Sequence, residues 1–306
     1  MSLDFKIIKD LAQAKEIWNQ LSPKETLWDD WDFRYCFYKY CNWELFFYTG
    51  YFKGQVVGVL PLQYNPEKKS LEFFGGEYME ENKVLIKNGC EQFVPDFYKQ
   101  IDEKSELGDI SGQDLFTRNL PLQEYIYLYD LSGITILEQF LNKYFDSDSR
   151  KKKKRLLKEE VEIIYNNFPD LDLMIDLNIR NFGKESSFYK PFRKEIFHDL
   201  LKLKYEPVLL TSIINGKKEA VSFAIKYKDK FISLNSGVNS ASFPWLEKYL
   251  ILKKVAKAIE LKCRVFDACA GDCGWKENWH LEKIPQFKFG TKKPSELSND
   301  FLVNVL

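Results

Sequence analysis

Residues 208–268 read VLLTSIINGKKEAVSFAIKYKDKFISLNSGVNSASFPWLEKYLILKKVAKAIELKCRVFDA, and their periodicity decides the fold. Val208–Ile214, Glu219–Tyr227 and Lys230–Leu234 read as three strands separated by a glycine turn and a charged turn. From Leu246 the period lengthens. Leu246, Tyr249, Leu252, Ala256 and Ile259 share one stripe while Lys253, Lys257 and Glu260 lie away from it, so Leu246–Leu261 reads as an amphipathic helix. Arg264–Ala268 returns as a strand and carries Asp267, a residue type that strands disfavour.

Working outward, Ile136–Tyr144 and Arg150–Glu160 read as helices and Val161–Tyr165 as a strand, followed by helices Leu171–Asn181 and Arg193–Lys204. The first half opens with helical stretches at 10–21 and 31–40. Strands follow at Leu45–Tyr51, Gln55–Gln63 and Ser70–Phe74, then a short helix (Gln92–Ile101) and strands near Glu106–Ile110 and Tyr125–Leu131. Ser132-Gly133 breaks the pattern there, and Pro285–Phe289 reads as a last strand. Thr211 follows Thr49 by 162 positions, as Gly216 follows Gly54 and Gly237 follows Gly75. Leu107-Gly108-Asp109 and Val265-Phe266-Asp267 likewise each set an aspartate in a strand after a helix. The recurrence points to an old duplication, with 45–75 and 207–237 as equivalent meanders. The expected fold is α/β with mixed, mostly antiparallel sheets, in two lobes covering 1–133 and 134–306.

Bulk properties agree with two lobes and narrow the function. A single core rarely grows beyond ~250–300 residues, and this chain has 306. Lysine plus arginine equals aspartate plus glutamate at 45 each, so the basic excess typical of nucleic-acid binders is missing. Six cysteines scattered along a long chain read as reduced thiols. Met1–Lys9 lacks the apolar core of a secretory signal, and no apolar run reaches the ~18 residues of a membrane span. A cytoplasmic protein is the expectation.

Three motifs carry a family resemblance. Gly54-Gln55-Val56-Val57-Gly58-Val59-Leu60-Pro61-Leu62 resembles a hairpin of the FemAB/CelD-like subgroup of GNAT acyltransferases. Ser149–Leu157, with its run of cations, resembles the basic helix of that subgroup. Phe266-Asp267-Ala268-Cys269-Ala270-Gly271-Asp272-Cys273-Gly274-Trp275-Lys276 resembles its signature of a strand aspartate, Gly-Asp and an aromatic-lysine pair. The element order over 161–268 is similar to the GNAT fold, and the resemblance spans roughly Phe5 to Phe289. It implies tandem GNAT-like lobes, the first degenerate, and an N-acyltransferase moving an acyl group from acyl-CoA or another carrier to an amine. A transferase dependent on aminoacyl-tRNA is the alternative, and a binding protein with a decayed cleft is the third reading.

The resemblance also assigns roles. A GNAT cofactor diphosphate sits at the helix following the central strand, where backbone amides and the helix dipole favour anions. Here Gly237, Val238, Ser240, Ser242 and Leu246 take that place, with Ser240 or Ser242 as the helix cap. The segment departs from the usual basic or Gln-led, glycine-rich pattern. Lys276 is the expected cation that stabilises charge on the attacked carbonyl oxygen, the part thought to be played by a lysine at this position in aminoacyl-transferring relatives. Its replacement is expected to leave the melting temperature near wild type. Asp267 and Asp272 are candidates to position the amine or relay its proton, and His280 is a candidate base. Trp275 and Trp279 are candidate walls of a substrate groove, although core packing is the commoner fate of tryptophan. Cys269, Cys273 and His280 lack a fourth ligand, so no metal is expected. The six cations Arg150–Arg155 read first as a solvated helix face or inter-lobe linker and second as a contact for a phosphate-rich partner, a tRNA donor or an anionic membrane surface.

Overall fold

The computed structural model describes residues 2–272 and 274–291. The chain divides into two compact units, one running to Tyr125 and resumed from Pro285, the other Ile126–Ile284. The division lies a few residues before 133/134, and the stretch from Pro285 groups with the first unit instead of the second. Its pairing explains this, because Gln286–Thr291 bond antiparallel to Ser105–Ser111.

The first unit contains β1 (Asp4–Ile8), α1 (Leu11–Leu21), α2 (Trp31–Cys41), β2 (Leu45–Phe52), β3 (Gln55–Asn65), β4 (Ser70–Phe73), β5 (Leu85–Ile86), α3 (Val94–Lys99), β6 (Ser105–Ser111) and α4 (Leu115–Arg118). The strand β7 (Leu122–Asp130) begins here. Asp10 starts α1 by accepting from the Gln13 amide, and Asp30 starts α2 by accepting from Asp32 and Phe33. Ala14, Trp18 and Leu21 of α1, with Trp31 and Tyr38 of α2, then bury against Phe47, Val59 and Phe74. On the other face Val94, Phe97 and Tyr98 pack on Tyr48, Leu62 and Leu71.

The second unit holds α5 (Leu137–Tyr144), α6 (Ser147–Leu156), β8 (Glu162–Tyr165), α7 (Leu171–Phe182), α8 (Arg193–Leu200), β9 (Glu206–Ile214), β10 (Lys217–Tyr227), β11 (Lys230–Val238), α9 (Leu246–Glu260) and β12 (Val265–Ala270). The last strand, β13 (Glu282–Thr291), starts in it. Its strand order is β7-β12-β11-β10-β9-β8. No helix among the described residues is long and apolar enough to cross a membrane.

The two meanders match in detail. Lys53 and Gly54 turn the first hairpin at φ 51° and 77°, and Asn215 and Gly216 turn the second at 51° and 73°. Two successive positive-φ residues give the twist that tight hairpins require. Thr49 pairs with Val59 and Thr211 with Val221, so the offset holds in register as well as in sequence. It fails at the third glycine pair. Gly75 leaves β4 at φ 95°, whereas Gly237 lies inside β11.

In each unit two neighbouring parallel strands meet briefly and part. β4 touches β6 at Leu71–Ser105, and β11 touches β12 from Lys230–Val265 to Ile232–Asp267. Both β6 and β12 then carry one extra residue against their antiparallel partners. The bulged residue in left-handed conformation is Asp109 in one and Cys269 in the other. Asp109 therefore corresponds to Cys269 by bulge position, and the sequence pairing of Asp109 with Asp267 is corrected.

Candidate active site

Beyond Ile232–Asp267, β11 and β12 diverge, and the polar side chains at this divergence form the candidate site. Asp267 is 4 % exposed and accepts a 2.8 Å hydrogen bond from the Cys269 amide, which the bulge has released from the ladder. Burial holds its carboxyl above the usual range, while that amide and the charges of Lys230 and Lys276 pull the other way. Asp272 accepts from the amides of Gly274 and Lys276, both at 3.1 Å, and so closes the turn that delivers Lys276.

Lys276 is only 3 % exposed. Its Nζ donates to Cys269 O at 2.8 Å and to Ala270 O at 2.7 Å, and it stands 5.2 Å from the Tyr127 ring centre. An ammonium has three donors, so two are anchored on the end of β12 and one is left over. The bulge is what aims these carbonyls away from the sheet. Because Lys276 satisfies one buried and one part-buried carbonyl, its removal costs stability as well as charge, which corrects the expectation of an unchanged melting temperature.

The site contains a lysine that sequence reasoning passed over. Lys254 of α9 is 7 % exposed and donates to Ser233 Oγ of β11 at 2.8 Å. Ser233 O in turn accepts from Cys269 Sγ at 3.4 Å. Burial brings the Lys254 ammonium down to about 8, opposed by Glu247 and Cys269 and assisted by Lys276. The sequence carries only a faint signal, completed by the burial of its neighbours in the fold. Leu250, Lys254 and Ala258 follow at i, i+4 and i+8, and both flanking residues are buried.

The other expected residues separate. His280 is exposed at φ 57°, with its ring 5.8 Å from Phe145 rather than among the lysines. Trp279 is buried core: its carbonyl accepts from the Tyr129 hydroxyl and its ring meets Phe145 edge-on. Trp275 is half-buried against Trp279. Cys273 lies outside the described residues, among which no group of three metal-ligating side chains occurs.

The helix start also differs from expectation. Gly237 and Val238 are strand residues, since β11 runs four residues past Leu234. A β-carbon on Gly237 would collide with Met174 O and come within 2.9 Å of Leu177 Cβ, so its bareness serves the packing of α7. Neither Ser240 nor Ser242 caps α9, whose N-cap is Trp245 with no side-chain bond. The amides of Ser240, Phe243 and Leu246 are bonded to Val238 O, Asn239 O and Phe243 O, and the Leu246 side chain belongs to the core.

The basic helix α6 is engaged within its own unit. Lys153 lies 3.8 Å from the Phe145 ring centre and 4.5 Å from that of Trp279. Lys154 pairs with Glu138, Lys151 with Asp148, and Arg150 bonds Asn142.

Residues 145–277, within the second unit, match the family model described as acetyltransferase (GNAT) domain. The whole chain has the tandem GNAT-like fold. It superposes on FemX with a TM-score of 0.57 at 11% identity, covering 95% of this chain and 98% of that one. The C-terminal domain of a proposed lysylphosphatidylglycerol synthetase from Agrobacterium fabrum gives 0.60 at 11%, covering 93% of each chain. A tandem GNAT protein of the clavulanic acid biosynthesis pathway gives 0.55 at 10%, covering 95% and 98%. No curated protein sequence matches the chain.

Proposed function

We propose that the second unit is an N-acyltransferase that moves a carrier-bound acyl group onto an amine, with Lys276 at the reacting carbonyl. The observation that carries this reading is a buried ammonium anchored by two carbonyls at the divergence of β11 and β12, with one donor left over. The amine nitrogen forms a bond to the acyl carbon, the carbonyl oxygen takes the negative charge, and Lys276 stabilises it. The C–N bond stays, the carbon–carrier bond breaks, and the carrier leaves as an anion. The amine's surplus proton passes through Ser233 Oγ to Lys254, whose lowered proton affinity suits a base near neutral pH, and then to the leaving carrier. In this reading Asp267 and Asp272 position the bulge and the turn.

The donor is a thioester or ester. The amides of Ser240, Phe243 and Leu246 are already bonded, so an acyl-CoA diphosphate at 240–246 would draw on the remaining amides of the segment. The alternative of an aminoacyl ester on tRNA draws on likeness to FemX and to the proposed lysylphosphatidylglycerol synthetase, although Lys151 and Lys154 of α6 are ion-paired and Lys153 lies over two rings. The test assays acyl-CoAs and aminoacyl-tRNAs with an amine panel, using wild type and Lys276→Met. Losing one such donor lowers kcat by ~10²–10³ while KM for the donor stays nearly constant. Turnover by Lys276→Met at the wild-type rate sinks the assignment.

A further inference from the structure

The first unit contains a cavity of about 880 Å³ that the proposed chemistry does not use. It lies where β4 and β6 part after Leu71–Ser105, and Phe73, Leu107, Phe116 and Phe289 form much of its apolar wall. Its charged lining is lopsided, with Glu72, Glu77, Glu106, Asp109 and Glu124 against Lys68, Lys99 and Lys288. Glu72 is accounted for by Gln63 and Asn65, each donating at 3.0 Å, and Glu106 by Lys104 at 3.1 Å.

Asp109 and Glu124 are different. Gln123 Nε2 reaches Asp109 Oδ1 at 3.4 Å and Glu124 Oε1 at 3.3 Å, so the two carboxylates flank a single amide. Neither has an ion-pair partner among the described residues. Asp109 sits on the β6 bulge at φ 53°, which the β6–β13 register shift imposes and which aspartate, like asparagine, adopts more readily than most side chains. Burial, together with Glu124 and Glu80, raises its carboxyl well above the usual range. The Tyr98 ring completes the apolar wall, its centre 5.3 Å from that of Phe116 and 5.0 Å from that of Phe289.

We propose that this cavity binds a small organic cation, a primary amine on an apolar body, with its ammonium between the Asp109 and Glu124 carboxylates. A bare metal ion fits less well. The cavity has room for a whole small molecule, and a metal would need more carboxylate or imidazole ligands than this pair supplies. An ammonium satisfies both carboxylates at once and relieves their mutual repulsion, and the aromatic wall covers the carbon skeleton.

The experiment uses the full chain and three probes in titration calorimetry: tyramine, tyrosol, which replaces the ammonium by a hydroxyl, and 1,5-diaminopentane. At least one of the two amines binds more tightly than about 1 mM, and tyrosol binds at least ~10-fold more weakly than tyramine. Asp109→Asn suits φ 53° and so folds. In the double variant Asp109→Asn/Glu124→Gln, amine affinity falls by ~10-fold or more, while the melting temperature without ligand holds or rises. A purely structural role for the pair would instead lower that temperature. Lys276→Met retains amine binding, which separates this proposal from the acyl-transfer reading. Saturable binding by neither amine, equal affinity for tyrosol, or undiminished affinity in the double variant would each overturn it.

Discussion

Lys254, buried on α9, donates to a neutral hydroxyl, Ser233 Oγ, and burial is what weakens its hold on the proton. The Lys254 ammonium drops to about 8 in the folded chain from an ordinary 10.5. Between those values the unfolded chain holds a proton that the native chain has shed, so this residue's contribution to stability rises with pH across the window. Below it both states are charged and the native chain bears the full cost of the buried cation, about 3 kcal/mol from that difference. Lys254→Met should therefore be more stable than wild type at pH 6 by up to about 3 kcal/mol, with the gap closing toward pH 10 in parallel urea titrations. If Lys254 takes the proton, the same variant also loses the rise in kcat through pH ~8. A gap that stays constant from pH 6 to 10 would show that the buried charge is not responsible. Lys276 and the aspartates were legible from a motif, but Lys254 was hidden. A lysine inside a helix pattern looks solvated until its neighbours on both turns are known to be buried.

The packing of α7 on β11 shows how an element can take over a residue that a motif seemed to reserve for ligand. Asn178 donates to Ser236 O at 2.8 Å and Asn181 to Val238 O at 2.6 Å, drawing the helix backbone against the strand at Gly237. Gly237→Ala must push Met174 O away, and because backbone is what blocks it the cost should be about 3 kcal/mol or more, read from the denaturation midpoint at unchanged slope. An alanine tolerated within 1 kcal/mol would mean that α7 shifts freely, and the packing explanation would fail. The hairpins were legible because paired turn residues with positive φ are a local signal. The edge strand β1 was missed: its burial alternates only weakly and its partner β2 lies some forty residues on. The expected helix at Arg150–Glu160 instead begins at Ser147, where Asp146 caps it.

At the scale of the whole molecule, β13 brings Phe287 and Phe289 into the core of the first unit, against Leu107, Ile110 and Tyr98. Phe287→Ala should cost about 3–5 kcal/mol, and the loss should fall unevenly. Hydrogen-exchange protection is expected to drop at Leu107 and Ile110 in β6 while β9 and β10 keep theirs. Equal loss in both units would mean that they unfold as one. By itself the sequence determined the order of strands and helices, the duplicated meander and its matching hairpins, because alternation, helical period and turn chemistry are written in neighbouring residues. It also pointed to the GNAT domain through motifs short enough to read. The tertiary structure alone decided the bulge at Cys269, the burial of Lys254 and Lys276, the return of β13 to the first unit and the carboxylates lining its cavity. Each of these depends on which distant segment lies alongside, and burial, register and proton affinity come into being only once those segments have met.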